Sequence, residues 1–306
     1  MKLSVVISVF NEELILKDFY AEILNILENN HSEYELIFVN DGSTDRSGEI
    51  IDLLAINNKV KAIHFSTNFG HEAAMIAGVD YATGDAIICM DSDLQHPPRL
   101  IPQMLNRFLQ GDVDIINMVS KQSNNKQTAK IFYKTLNLIS QHNLTVNASD
   151  FFLISARVAE ILRKDYRERV RFLRGFIQII GFKKATIEFE IENRKAGKSK
   201  YSFHKLVSLS VTAIATLSKL PLKVGIFMGL LSGLFSLFVA IYSIIMKFID
   251  QPVSGYTTII VFLGVMFSIQ FFILGIIGEY IGFLFDEQKK RPIYIIDKTS
   301  NLTQAK

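Results

Sequence analysis

Cysteine is nearly absent from this chain: Cys89 is the single thiol in 306 residues. It permits no internal disulfide and lies in the apolar run Ala86 to Met90, which predicts a core thiol and a reducing compartment for the domain around it. Charge of one sign is scarce as well. The 33 Lys and Arg are nearly balanced by 30 Asp and Glu, for a formal net charge of +3, and no basic run interleaved with aromatics occurs before Arg163, so no nucleic-acid partner is expected. Neither G-x-G-x-x-G nor G-x-x-x-x-G-K-[ST] occurs, which argues against dinucleotide and Walker-type phosphate sites. His64, His71 and His96 have no spacing that forms a zinc set and read as structural or peripheral. The apolar start, Leu3 to Phe10, is short and runs into Asn11-Glu12-Glu13, unlike a signal peptide. The domain is expected to stay on the side of the membrane where it is made.

What the chain has in excess is apolar residues, 49% against 21% charged, and the excess is local. Val224 to Met246 and Tyr256 to Gly278 run without a charge, each longer than the roughly 20 residues that a bilayer core requires. Lys219 and Lys223 precede the first run, and Lys289, Lys290 and Arg291 follow the second. Basic flanks on the cytoplasmic side place both ends, and with them the preceding domain, in the cytoplasm. The competing reading is a pair of buried core helices. From Phe203 to Leu222 apolar residues mix with Ser, Thr and Lys, as in an amphipathic helix lying in the membrane interface. Gly225, Gly229 and Gly233, at four-residue spacing, predict close helix packing and a homo-oligomer.

Before residue 119, β-rich runs alternate with helical patterns. Lys2–Phe10, Tyr34–Asn40, Lys61–Ser66, Ala86–Met90 and Asp114–Met118 read as strands, and Ala185–Ile191 as a β-like stretch, while Leu14, Ile15, Phe19, Ile23, Ile26 and Leu27 recur at helical spacing. A helix is expected from Thr128 to His142. Continuous apolar strands between helices predict an α/β domain with a mostly parallel, helix-covered sheet, whose ligands sit at the carboxyl ends of the strands. The organisation expected is a domain over 1–202, an interfacial helix over 203–222, a transmembrane hairpin over 223–285 and a tail over 286–306.

The strand ends carry the polar residues. Asp91-Ser92-Asp93 closes the fourth strand, and residues two apart in an extended backbone point the same way. Two such carboxylates can chelate a hard cation that also takes diphosphate oxygens; the bland alternative is a solvated turn. Asn40-Asp41-Gly42-Ser43-Thr44-Asp45 opens a helix that Ser43 or Thr44 could cap, and Asp41 at the strand tip could accept hydrogen bonds from a base or ribose.

Ser8-Val9-Phe10-Asn11-Glu12-Glu13, Asn40 through Asp45, Asn68-Phe69-Gly70 and Asp91-Ser92-Asp93-Leu94-Gln95-His96-Pro97-Pro98, in this order, resemble glycosyltransferase family 2. The branch they resemble transfers sugars to polyprenyl phosphates. Arg169 through Gly175, Gly181-Phe182, Arg194 through Tyr201 and the two apolar runs extend the resemblance over nearly the whole chain. It implies a GT-A (Rossmann-like) fold, inverting transfer and a Mg²⁺ or Mn²⁺ requirement. It also implies that Phe10 and Glu12 lie at the nucleotide, Val39 and Asp41 near its base and ribose, Asp91 and Asp93 at the metal, and Ser92 beside the diphosphate. Lys121, Arg171, Arg174, Arg194, Lys198 and Lys200 fall among the expected contacts to phosphate groups and acceptor, and a tetramer would agree with some relatives.

Two departures from the family pattern stand out. Ser8 occupies a position usually taken by proline. The segment Ser120 to Lys126 is short and carries only lysines, and lysine lacks arginine's bidentate fork for phosphate.

Asp150, in Asp150-Phe151-Phe152-Leu153, matches a family aspartate discussed as a base. A phosphate nucleophile with a second pKa near 6 is already largely ionised at neutral pH, so positioning, or contact with metal or acceptor, is an equal reading, and a helix or turn cap is the bland one. The resemblance implies transfer of one sugar from a nucleotide-sugar, UDP-glucose or UDP-N-acetylglucosamine, to a polyprenyl phosphate such as undecaprenyl phosphate at the cytoplasmic membrane face. The alternatives are a processive polysaccharide synthase and a non-catalytic membrane scaffold or flippase subunit with a degenerate domain.

Overall fold

The computed structural model describes residues 1–30, 33–121, 148–168, 173–190, 220–249 and 255–302. The helix expected over Thr128–His142 and nearly all of the expected interfacial helix fall outside these residues. The described part divides into two compact units, residues 1–210 with 291–306, and residues 211–290.

In the first unit a continuous sheet is built from β1 (Leu3–Val9), β2 (Tyr34–Asn40), β3 (Val60–Phe65), β4 (Ala86–Asp91), β5 (Ile115–Ser120), β6 (Ala148–Ser155), β7 (Lys184–Phe189) and β8 (Ile296–Ser300), in the order β7-β5-β6-β4-β1-β2-β3-β8. The β4-β1-β2-β3 half is parallel, as continuous apolar strands with crossover helices require. β6 runs antiparallel between β4 and β5, and β8 antiparallel on the outer edge of β3. Residues read from the sequence as a tail thus complete the sheet.

Successive side chains of a strand face opposite ways, and β1 shows the result. Leu3, Val5, Ile7 and Val9 enter one core with Phe19, Ile23 and Leu27 of α1 (Leu16–Asn30), Ile50 and Ile51 of α2 (Ser47–Leu54), and Met104 and Leu105 of α4 (Ile101–Phe108). Val6 enters the other, with α3 (His71–Tyr81), α5 (Ala156–Lys164) and α6 (Leu173–Ile179). Ser4 and Ser8 share Val6's face. Gly78 lies so close to the Val6 side chain that a Cβ there would overlap it, so α3 packs directly on β1.

The chain returns to the sheet through specific anchors. Tyr294 stacks on Phe65 with ring centroids 5.1 Å apart, and its hydroxyl donates to Asp80 Oδ2 at 2.6 Å. Asn301 Nδ2 donates to the carbonyls of Ala55 at 2.5 Å and Val60 at 2.9 Å. No apolar periodicity accompanies these contacts, since β8 is a half-exposed edge strand.

The second unit holds α7 (Leu220–Phe248) and α8 (Tyr256–Gln288), both long and apolar enough to cross a membrane. They pack antiparallel: Gly225 meets Ile273, Ser236 Oγ lies 3.6 Å from Met266 Sδ, and the Phe235 and Phe262 rings are 6.1 Å apart. Phe227, Phe238, Phe271 and Leu284 point outward and exposed, which suits lipid rather than water. Gly229 and Gly233 have open space where a Cβ would stand.

Candidate active site

The carboxyl tips of the four parallel strands and the start of antiparallel β6 lie along one edge of the sheet, where the ligand crevice is expected, and hydrogen bonds tie their loops together. After β1 the backbone turns left-handed at Asn11 (φ 56°), a conformation asparagine tolerates. Asn11 Oδ1 accepts from the Thr44 N–H at 2.8 Å, while Ser43 Oγ and Ser47 Oγ accept from the N–H groups of Asn11 and Glu12 at 3.0 and 2.8 Å. Ser43 and Thr44 therefore join the first two loops; the α2 start shows no side-chain cap. Gly42, at φ 65°, presses on the Thr67 backbone with no room for a Cβ. Phe10 and Glu12 lie half-buried at this rim.

Asp41 is 2% exposed, and its carboxylate accepts from Asn68 Nδ2 at 3.0 Å and from the N–H groups of Phe69 and Gly70 at 2.7 and 3.0 Å. It holds the Asn68-Phe69-Gly70 loop against the loop that follows β2 and fixes the start of α3. Val39, expected near a base, is 0% exposed and packs in the core with Ile63 and Phe65; the structure does not bring it to the crevice surface.

The fourth strand tip holds the acidic pair. Ser92 is buried and donates from Oγ to the Ser8 carbonyl at 3.1 Å, tying β4 to β1. Asp93, 7% exposed, accepts from the Gln95 N–H at 3.1 Å. Between them and the loop, Leu94 adopts φ 60° with its side chain buried. For a leucine that conformation costs about 1–2 kcal/mol, and the core contact of Leu94 offsets it while the turn carries Asp93 to the crevice.

Asp91 stands in a network of side chains. Its Oδ1 accepts from Ser8 Oγ at 2.9 Å and lies 3.1 Å from His71 Nδ1. Ser8 Oγ is also 2.9 Å from His71 Nδ1. His96 Nδ1 accepts the Asp91 N–H at 3.2 Å and sits 3.6 Å from Oδ2. On the next strand Asp150, within β6 rather than at a cap, pairs with Arg174 Nη2 at 2.9 Å, and its Oδ2 lies 3.7 Å from His71 Nε2. Arg174 is thus brought to the site as the partner of Asp150. Lys121 is exposed at the end of β5. Arg171, Arg194, Lys198 and Lys200 lie outside the described residues.

These charges shape the titration of the group. Burial would lower the His71 pKa, but the carboxylates of Asp91, Asp150 and Glu72 outweigh it and raise it. Burial would raise Asp91, yet His71 first and the Ser8 hydroxyl after it hold it below the ordinary range. Glu72 is pushed up to about 7, by burial first and by Asp150 second.

His71 and His96, read from the sequence as structural or peripheral, touch Asp91, and Ser8 supplies one of its hydrogen bonds. The available signal was the place of His71 at the third strand's loop, directly after Asn68-Phe69-Gly70.

Among the described residues no three His, Cys, Asp or Glu side chains form a preformed metal cage. Asp91 and Asp93 offer oxygen donors only, the set a hard divalent cation accepts when substrate phosphates complete its shell. The donor chemistry fits such an ion.

Comparison with known proteins agrees with this architecture. A family model described as glycosyl transferase family 2 matches residues 4–162. The chain is 36% identical over 305 residues to the bactoprenol glucosyl transferase of Shigella phage SfII, covering 98% of each. It is 37% identical over 304 residues to the glycosyltransferase YkcC of Bacillus subtilis, covering 97% of this chain and 93% of that one. Glucosyl-3-phosphoglycerate synthase from Mycobacterium tuberculosis, solved with Mn²⁺, UDP-glucose and phosphoglyceric acid, superposes with a TM-score of 0.50 at 16% identity, over 71% of this chain and 78% of that one. That likeness is one of fold.

Proposed function

The chain belongs to glycosyl transferase family 2, in the branch that includes the bactoprenol glucosyl transferases, and from that premise we propose that it transfers one glucosyl unit from UDP-glucose to a polyprenyl phosphate such as undecaprenyl phosphate. The observation that carries the reading is the match over both halves of the chain, crevice and apolar helix pair alike, with relatives named for that acceptor and that sugar. A lipid phosphate is the substrate for which a soluble transferase domain needs a membrane anchor.

The residues take roles that follow from their positions. Asp91 and Asp93 would hold Mg²⁺ or Mn²⁺, which when bound neutralises the charge growing on the departing diphosphate. The loops stitched by Asn11, Ser43 and Asp41 shape the nucleotide side, and Asp41 acts there through the loop it orders. Asp150, backed by Arg174, faces the acceptor side. The acceptor phosphate is already an anion at neutral pH, so Asp150 serves to orient it and its counter-charges rather than to remove a proton. Arg171, Arg194, Lys198 and Lys200, with Lys121 at the crevice edge, remain the candidates for gripping phosphate.

The fold also supports a topology. β8 follows both apolar helices and pairs with β3, so the chain re-enters the domain that it left. Two crossings satisfy that path and one does not. With Lys219, Lys223, Lys289, Lys290 and Arg291 on the same side, that side is the cytoplasm. The open faces of Gly229 and Gly233 are compatible with a homo-oligomer.

Membranes containing the protein, supplied with undecaprenyl phosphate, Mg²⁺ or Mn²⁺ and a panel of labelled nucleotide-sugars, should label lipid from UDP-glucose. Label from UDP-N-acetylglucosamine instead would correct the sugar, and no label from any donor with folded protein would refute the transferase reading. A reporter fused after Lys306 should report cytoplasm.

A further inference from the structure

Resting on the transferase reading, we propose that His71 is a positioning residue for the transfer. Its ring ties the donor-side carboxylate Asp91 to the acceptor-side carboxylate Asp150, so the two halves of the crevice keep one separation.

Three independent features place the ring. Asp41 accepts from the Gly70 N–H and so fixes where α3 begins. Gly78 lets α3 lie against Val6 of β1, and His71, two turns earlier on the helix, falls on the same face, toward Ser8 on the same side of the strand. Ser8 completes the arrangement. Its hydroxyl lies 2.9 Å from His71 Nδ1 and donates to Asp91 Oδ1 at 2.9 Å, so Asp91 is held through one oxygen. The other, Oδ2, faces His96 Nδ1, whose lone pair already accepts the Asp91 N–H and so brings no proton to Oδ2. A carboxylate held at Oδ1 keeps Oδ2 for a cation.

The other edge of the ring reaches across to Asp150. His71 Nε2 lies 3.7 Å from Asp150 Oδ2 and is buried without a hydrogen-bond partner among the described residues. Arg174 Nη2 donates to that same Asp150 oxygen at 2.9 Å. Asp91 and Asp150 stand on the hydrogen-bonded neighbours β4 and β6, and two carboxylates there would repel one another with nothing between them. One imidazole with two nitrogens on opposite edges spans the gap. Asparagine can stand in for the Nδ1 edge and glutamine for the Nε2 edge, but neither covers both.

The test uses the full-length enzyme in lipid nanodiscs with UDP-glucose, undecaprenyl phosphate and Mn²⁺. H71A is expected to lower kcat about 10- to 100-fold while the donor KM stays within about twofold, because a misplaced reacting pair costs rate rather than ground-state binding. H71N and H71Q, which keep one edge each, should fall between H71A and wild type. In a D150N background H71A should cost less than about threefold, since the tie has already lost its far anchor. A merely structural histidine would lower folded protein and multiply with D150N. Wild-type kcat in H71A, or costs of H71A and D150N that multiply in folded protein, overturns the proposal. If H71A fails to fold, H71N and H71Q decide: both folded and both fully active is the overturning result. A wild type that labels lipid from no donor sinks the transferase reading itself, an outcome distinct from active variants.

Discussion

The two ends of the parallel strands use buried carboxylates in opposite ways. At the amino ends, Glu35 is surrounded by partners: Ser4 Oγ at 2.5 Å, the Thr83 N–H at 2.7 Å, Lys61 Nζ at 2.7 Å and Lys2 Nζ at 3.1 Å. Burial would raise its pKa, but Lys61, Ser4 and Thr83 outweigh that and bring it to about 2. At the carboxyl ends, Asp91, Asp150 and Glu72 gather around His71, His96 and Arg174, Asp93 follows two residues after Asp91, and burial with Asp150 pushes Glu72 up to about 7. One end is neutralised within the fold. Among the described residues the other sets four carboxylates against His71, His96 and Arg174, a surplus that the divalent cation proposed for Asp91 and Asp93 would offset.

Substitution at either end tests that contrast. The largest effect belongs to Asp93: D93N should lower lipid labelling about 10³-fold, equivalent to about 4 kcal/mol of transition-state stabilisation, with an unchanged urea midpoint. Full activity in D93N would remove Asp93 from the metal site. At the opposite end E35Q should do the reverse, costing about 3 kcal/mol of stability at pH 7 with the rate per folded molecule preserved. An E35Q protein as stable as wild type would show that the amino-end cluster is not neutralised as its geometry requires.

The pH dependence separates the ends more finely. Glu35 has a folded pKa of about 2, below its unfolded value, so its contribution is complete above the unfolded pKa and is lost as pH falls toward 2. Glu72 is raised to about 7. The folded state then binds the extra proton, and stability declines as pH rises from the unfolded carboxylate pKa through about 7. E72Q should therefore gain about 2 kcal/mol at pH 8 and flatten that decline, whereas E35Q should flatten the acid limb. Urea titrations of both variants between pH 3 and 8 would show it, and parallel pH profiles would break the contrast.

Much of this was legible in the chain. Strands β1 to β5 follow apolar runs flanked by turn residues, and the acidic pair shows itself by closing one of them. β6 escaped because the preceding residues carry no pattern that announces it, and its antiparallel insertion beside β4 depends on tertiary pairing. His71 looks unremarkable by itself, and Ser8 stands out in the sequence only as a departure from the family's proline. They became part of the site only because Gly78 seats α3 on β1 and period-two alternation puts Ser8 on that face. Val39 and Ser92 went the other way: the resemblance implied ligand contacts for both, whereas the Val39 side chain packs in the core and the Ser92 hydroxyl donates to the Ser8 carbonyl. The tail was unreadable because its hold comes from single polar anchors rather than from a buried stripe.

That tail provides the smallest test. Asn301 Nδ2 meets the carbonyls of Ala55 and Val60, at 2.5 and 2.9 Å, beside the start of β3 and so at the neutralised end of the sheet. N301A removes the donor but leaves carbonyls near solvent, so water replaces part of what is lost, and the expected cost is about 1 kcal/mol. The transfer rate per folded molecule should not change, because no residue of the crevice depends on that amide. A lowered urea midpoint with intact kcat would assign the returning strand to the stability end. A loss of kcat at full stability would instead connect it to the site, and the division between the two ends would no longer hold.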